Sequence, residues 1–222
     1  MTYKLSPSSI SLMEECQRCF WLDKHNMWKR PSGIFPSLPS GMDNILKKHF
    51  NKFRDKNLLP PELCNDGNCE NMGLFGRDED EKELLSLWQN NLKGIWWEDE
   101  DGNILFGAVD NILVKDDKLI VLDYKTRGYK LKENTTDYYK NQMDIYNFLL
   151  RKNGYDTEDF SFLLFYVPSE VSDTGEVLFD TTLKKIPINI KNAEFLFEKA
   201  LILLDGDCPN KKCEWCENVE LR

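Results

Sequence analysis

The stretch from Gly94 to Lys125 constrains the fold most, because its apolar residues recur at a period of two rather than at a helical period. Such alternation predicts β-strands with one buried face. Over residues 104–112 it predicts a strand face that carries Asp110, and a second strand face carries Asp123 together with Lys125. The sequence therefore predicts that two carboxylates and an amine arrive on adjacent strands.

Helical patterns surround these strands. Apolar residues recur at helical spacing in segments 41–53, 84–92, 135–152 and 192–204, and a short serine-capped helix precedes them. The continuous apolar run from Phe160 to Val167 is typical of a buried strand. The pattern of residues 177–190 predicts a further strand. Pro187 indicates that this strand lies at a sheet edge, because proline cannot donate a hydrogen bond to a neighbouring strand. The order of these elements predicts an α/β sandwich with a central mixed sheet flanked by helices.

A chain of 222 residues predicts one domain over 1–222, in which 57–93 form a loop and helical insertion. The 29 basic and 38 acidic residues give a net charge of −9, which argues against a general polyanion-binding protein. An enzyme with a local basic track remains compatible with that balance. No apolar run approaches the roughly 18 residues that a membrane span needs, so we expect a cytoplasmic protein.

The carboxylates and the amine have a chemical meaning together. Two carboxylates can hold Mg²⁺ or Mn²⁺, which polarises a phosphoryl oxygen and acidifies water, and a lysine can orient that water or offset developing charge. Asp110, Asp123 and Lys125 suit these roles. The backbone carbonyl of Tyr124 is a candidate for a further oxygen ligand. Ordinary charged residues at strand ends are the structural alternative.

The motifs resemble a known family. Gly107-x-x-Asp110, Asp123-Tyr124-Lys125 and Gln142-x-x-x-Tyr146 stand in the order of the PD-(D/E)XK nuclease superfamily, although Val109 replaces the name-giving proline. The similarity is to the branch that contains the RecB and AddB nuclease domains and the CRISPR adaptation exonucleases. It implies a restriction-endonuclease-like fold, with Asp110, Asp123 and Lys125 catalytic.

The same resemblance suggests roles for two helical positions and one histidine. It implies that Gln142 and Tyr146 assist beside the active site and contact DNA; polar positions on a half-buried helix are the alternative. Relatives often have a histidine metal ligand on the early helix, four residues after a glycine, but Ile45 stands at that position here. His49 lies one turn later, and we weigh a metal ligand against a core histidine.

Cysteines cluster at both ends of the sequence, at Cys16, Cys19, Cys208, Cys213 and Cys216. The spacing suggests a metal clasp that joins residues 1–30 to 205–222, and it does not decide between Zn²⁺ and an iron–sulfur cluster. The resemblance implies a [4Fe-4S] cluster in which Cys16, Cys213 and Cys216 are ligands. Cys208 or Cys19 would complete the four.

The resemblance implies exonuclease or end-trimming action on DNA in repair, recombination or CRISPR adaptation. A helicase or integrase partner would then be another polypeptide, since the sequence carries no helicase motif. The basic and aromatic segment 124–132 is a candidate DNA track. Two alternatives remain: a nuclease-fold module that binds DNA or a partner without turnover, and a structural protein with a Cys₄ zinc site.

Overall fold

The computed structural model describes residues 1–34, 36–64 and 69–220. The helices are α1 (Pro7–Glu15), α2 (Gln17–Lys24), α3 (Ser37–Arg54), α4 (Pro61–Cys64), α5 (Glu79–Trp88), α6 (Lys140–Lys152) and α7 (Ile190–Asp205). The strands are β1 (Lys4–Leu5), β2 (Gly73–Leu74), β3 (Ile95–Glu98), β4 (Ile104–Gly107), β5 (Asn111–Lys115), β6 (Lys118–Thr126), β7 (Phe160–Val171) and β8 (Val177–Pro187).

Five strands form the central sheet in the order β2-β5-β6-β7-β8. Strands β6 and β7 are parallel, with Asp123 opposite Leu163 and Lys125 opposite Phe165, and the other pairs are antiparallel. The sheet is therefore mixed, as the sequence predicts, and β8 forms an edge. The crossover from β6 to β7 runs through α6, which places that helix beside the carboxyl end of β6.

The core lies on both faces of this sheet because β6 is buried on both sides. Leu119 and Val121 pack with residues of α1, α6 and α7. Ile120 and Leu122 point the other way and pack with Leu46 and other residues of α3. Burying each such side chain contributes about 1.5–3 kcal/mol. Asp123 and Lys125 continue the face of Leu119 and Val121, as the period of two predicts.

Residues 104–112 do not form one strand, and that prediction is wrong. Strand β4 belongs to a separate three-stranded sheet of order β1-β4-β3, whereas β5 belongs to the central sheet. Between them the backbone bonds to the end of α5: the Val109 amide donates to the Trp88 carbonyl at 3.1 Å, and Gln89 Nε2 donates to the Asp110 carbonyl at 2.6 Å. The chain therefore crosses from one sheet to the other at the predicted metal-binding aspartate.

The predicted insertion 57–93 holds more regular structure, within its described residues 57–64 and 69–93, than a loop and one helix. It contains α4 and β2, and Gly73 of β2 pairs with Val114. A strand of two residues such as β2 is too short to show a period of two, so the sequence pattern does not predict it. The predicted helix over 135–152 begins as a 3₁₀ turn, Thr135–Tyr139. No helix among the described residues is long and apolar enough to cross a membrane.

Candidate active site

The connection between β4 and β5 holds Asp110 over the end of β6. Its Oδ2 accepts a hydrogen bond from the backbone amide of Tyr124 at 2.8 Å, and its own carbonyl accepts from Gln89 at 2.6 Å. These two hydrogen bonds fix both the carboxylate and the backbone of Asp110. Asp110 thus reaches the predicted position by tertiary hydrogen bonds rather than by strand parity.

Strand β6 supplies the second carboxylate and the amine. Asp123 is 1% exposed, and its Oδ2 forms an ion pair with Lys125 Nζ. Residues two apart on a strand share a face, so the pair follows directly from the local sequence. Burying an isolated charge costs free energy, and the ion pair with Lys125 offsets part of that cost for Asp123.

Two carboxylates and one ammonium leave one negative charge without compensation. Burial, then the charge of Asp123, raise the pKa of Asp110 to about 7. Burial likewise raises the pKa of Asp123, although Lys125 opposes that shift. Burial disfavours the charge of Lys125, but both aspartates outweigh it and raise the lysine pKa. The lysine therefore stays an ammonium, and the two carboxylates would accept a cation.

Helix α6 closes the site through a chain of side chains. Lys125 Nζ donates to Gln142 Oε1 at 3.2 Å, and Gln142 Nε2 donates to the Tyr146 hydroxyl at 2.7 Å. Gln142 and Tyr146 stand one turn apart on α6, which lets them meet. Gly107 leaves room for the tyrosine, since a Cβ there would lie 2.7 Å from Tyr146 Cε1. The structure thus gathers all five predicted catalytic side chains.

Helix α3 adds an acidic residue that the sequence analysis missed. The charges of Asp43 and Lys47 both act on Asp123, so this turn of α3 lies near the carboxylates. Asp43 Oδ2 pairs with Lys47 Nζ at 2.9 Å, while its Oδ1 is buried without a hydrogen-bond partner among the described residues. Asp43 precedes the buried Leu46 and Phe50 by three and seven positions, and this helical spacing is the signal that could have identified it.

His49 lies elsewhere. Its Nε2 is 2.9 Å from Glu62 Oε1, and the Tyr166 hydroxyl donates to the same oxygen at 2.7 Å. Within residues 1–34, 36–64 and 69–220, His49 belongs to no group of three or more potential ligands close enough for one ion. It therefore faces Glu62 in this structure rather than Asp110 and Asp123.

The cysteines form a second site, away from these carboxylates. Cys16, Cys19, Cys213 and Cys216 bring their sulfur atoms within 4.8 Å of one another, a group able to hold a metal ion. Cys208 lies outside this group, and Arg18 Nη1 contacts its sulfur at 3.3 Å. Burial raises the pKa of Cys213, but hydrogen bonds led by the Cys216 amide outweigh it and lower that pKa to about 6.

Comparison with known proteins decides the family. The model of the PD-(D/E)XK nuclease superfamily matches residues 77–219, well over half of the chain. The chain belongs to the PD-(D/E)XK nuclease superfamily. No curated protein matches the sequence. Asp110, Asp123 and Lys125 all lie inside the matched range. Asp43, Cys16 between α1 and α2, and Cys19 of α2 precede it.

Membership in the PD-(D/E)XK superfamily implies a metal-dependent phosphodiesterase, and the donor atoms suit that chemistry. Carboxylate and carbonyl oxygens are the ligands that Mg²⁺ and Mn²⁺ prefer. Asp110 and Asp123 offer such oxygens in a neighbouring pair whose two negative charges Lys125 balances only in part. The carboxylate site therefore fits the divalent cation that PD-(D/E)XK nucleases use.

Proposed function

We propose that this protein is a Mg²⁺- or Mn²⁺-dependent deoxyribonuclease that trims DNA from its ends. The observation that carries the proposal is a pair of carboxylates, the buried Asp123 and the partly exposed Asp110, beside an ammonium, Lys125, which Gln142 holds from α6. If Lys125 served only in a structural ion pair, one carboxylate would be enough to neutralise its charge. The second carboxylate is accounted for by a divalent cation, which Asp110 and Asp123 would hold together.

The side chains divide the work of phosphodiester hydrolysis. Asp110, Asp123 and the Tyr124 carbonyl would hold the cation, which would polarise the phosphoryl oxygen and make water more acidic. The two aspartates raise the pKa of Lys125 and favour its ammonium form, which would orient the attacking water or offset charge on the phosphate. Gln142 fixes the amine, and Tyr146 fixes Gln142.

Exposed aromatic and basic residues beside the site favour a nucleic-acid strand as the substrate. Tyr129, within the basic and aromatic segment 124–132, is 83% exposed, and Tyr138, which follows that segment, is 74% exposed. Arg127 Nη1 approaches the Tyr139 hydroxyl at 3.4 Å, which keeps a guanidinium near the end of β6. Exposed rings can stack unpaired bases, and the cations can follow the phosphates. We therefore expect single-stranded DNA, or a frayed duplex end, to enter here.

A substrate panel tests this function. We would incubate the protein with Mg²⁺ or Mn²⁺ and linear single-stranded DNA, blunt duplex, circular single-stranded DNA or RNA, and add EDTA to matched samples. The proposal expects cation-dependent shortening of linear DNA and resistance of the circle and of RNA. Cleavage of the circle would contradict end trimming, and preferential RNA cleavage would contradict a deoxyribonuclease.

A pair of lysine variants separates catalysis from binding. Lys125→Met removes the ammonium of the site, whereas Lys118→Met changes a lysine at the β5–β6 turn that is half exposed. We expect Lys125→Met to lose cleavage while retaining DNA binding in Ca²⁺, and Lys118→Met to cleave normally. A wild-type protein that binds DNA but never cleaves it, with either cation, would favour the binding module.

A further inference from the structure

The four-cysteine site carries an inference that is independent of the proposed nuclease function. We propose that Cys16, Cys19, Cys213 and Cys216 bind one tetrahedral Zn²⁺ ion and not a [4Fe-4S] cluster. Three sulfur–sulfur distances support this: 3.9 Å for Cys16 and Cys216, 3.5 Å for Cys19 and Cys213, and 3.7 Å for Cys213 and Cys216. All four sulfur atoms lie within 4.8 Å of one another.

These distances match a single ion. Zinc binds thiolate sulfur at about 2.3 Å in a tetrahedral arrangement, which separates the sulfur atoms by about 3.8 Å. In a cubane each cysteine binds a different iron, so the cluster itself stands between the sulfur atoms and separates them by about 6 Å. No two of the four sulfur atoms are more than 4.8 Å apart, which is too close for that arrangement. The cluster would require both chain segments to move apart.

Hydrogen bonds around the site hold the two cysteine-bearing segments of the chain at this shorter sulfur–sulfur separation. Arg18, which is 5% exposed, donates to the Pro209 carbonyl at 3.0 Å and to the Val219 carbonyl at 3.2 Å. This guanidinium joins α2 to the chain on both sides of the last two cysteines. Moving them outward by about 2 Å to admit a cubane would break these hydrogen bonds.

The charges around the site suit four thiolates with a divalent ion, which together carry two negative charges. Arg30 Nη2 lies 3.9 Å from Cys213 Sγ, and the Cys213 amide donates to Cys216 Sγ at 3.3 Å. Donors of this kind stabilise bound thiolates and fix their orientation. Arg18 Nη1 contacts the Cys208 sulfur, and this contact keeps the Cys208 thiol out of the ligand set.

Metal analysis of the wild-type protein is the test. The full chain would be produced with both zinc and iron supplied and purified anaerobically, and zinc, iron and acid-labile sulfide would be measured per chain. We expect one zinc, no iron and no absorption band near about 400 nm, with X-ray absorption showing four sulfur neighbours at about 2.3 Å. Four iron atoms with sulfide, or a single iron in place of zinc, would overturn the proposal.

Cysteine variants test the ligand set. Cys19→Ser should lose zinc, whereas Cys208→Ser should retain one zinc per chain, as should Cys64→Ser on the exposed part of α4. Loss of zinc in Cys208→Ser with retention in Cys19→Ser would refute the assignment. If Cys19→Ser does not fold, the visible spectrum of cobalt-substituted wild type decides the geometry, because a tetrahedral thiolate site gives intense d–d bands. Failure of DNA cleavage would leave every one of these outcomes unchanged.

Discussion

Replacing Gly107 by alanine should uncouple α6 from the active site. A Cβ at this position would lie 2.7 Å from Tyr146 Cε1 and 2.9 Å from its Cδ1. Ordinary van der Waals contact begins at 3.4 Å, so the ring must move by about 0.7 Å. That movement would lengthen and weaken the 2.7 Å hydrogen bond from Gln142 to the tyrosine hydroxyl, and Gln142 would then hold Lys125 less firmly.

The size of the effect follows from these distances. Overpacking a well-filled core by one methyl group destabilises a protein by about 1–3 kcal/mol. Displacing a positioning group by a sizeable fraction of an ångström lowers a rate by about 10- to 100-fold. Urea denaturation would measure the free energy of unfolding of Gly107→Ala, and single-turnover cleavage of end-labelled DNA would measure the rate.

Two further variants make this prediction refutable. Gly33→Ala adds the same methyl group where nothing lies within 4 Å, and it should leave both quantities unchanged. Tyr146→Leu removes the ring, so adding Gly107→Ala to it should cost less than 1 kcal/mol more. A Gly107→Ala protein with wild-type stability and wild-type rate would show that the contact does not position the site.

Two other predictions concern charge. Because burial raises the pKa of Asp110 to about 7, protons compete with the cation for this carboxylate below that pH. Calorimetry should therefore find that Mg²⁺ binds about tenfold more weakly at pH 6 than at pH 8. A Mg²⁺ affinity that does not change with pH would contradict this prediction. Arg54→Met should lower the free energy of unfolding by about 3 kcal/mol, because the buried guanidinium donates to the Phe75 carbonyl and to Asn111 Oδ1 at 2.6 Å each. The control Arg77→Met, at an exposed arginine, should change that free energy by less than about 0.5 kcal/mol. Equal urea midpoints for the two variants would refute the role of these hydrogen bonds.

The parts of the site that depend on local sequence are predictable. Asp123 and Lys125 lie two residues apart on one strand, so the period of two alone puts them on the same face. Gln142 and Tyr146 lie one turn apart on one helix, and the helical period suffices. In both cases the relevant geometry is set by covalent neighbours within a single element.

The parts that depend on tertiary contacts are not predictable in this way. Asp110 was expected on a strand, but its position is set by the Tyr124 amide and by Gln89, which lies 21 residues earlier. Asp43 approaches Asp123 from α3 across 80 residues of sequence. No periodicity connects such distant segments. The same limit applies to Cys19 and Cys208, because only the sulfur–sulfur distances show that Cys19 groups with Cys16, Cys213 and Cys216.

Cleavage measured against Mg²⁺ concentration with a matched pair of aspartate variants tests the central claim most directly. Asp110→Asn keeps the shape of the side chain and removes its charge, and Asp116→Asn makes the same change at the β5–β6 turn, where asparagine tolerates the positive φ of 47°. We predict that Asp110→Asn loses at least about 100-fold in single-turnover rate at every Mg²⁺ concentration and that Asp116→Asn equals the wild type. A folded Asp110→Asn protein that cleaves DNA at the wild-type rate would contradict the account.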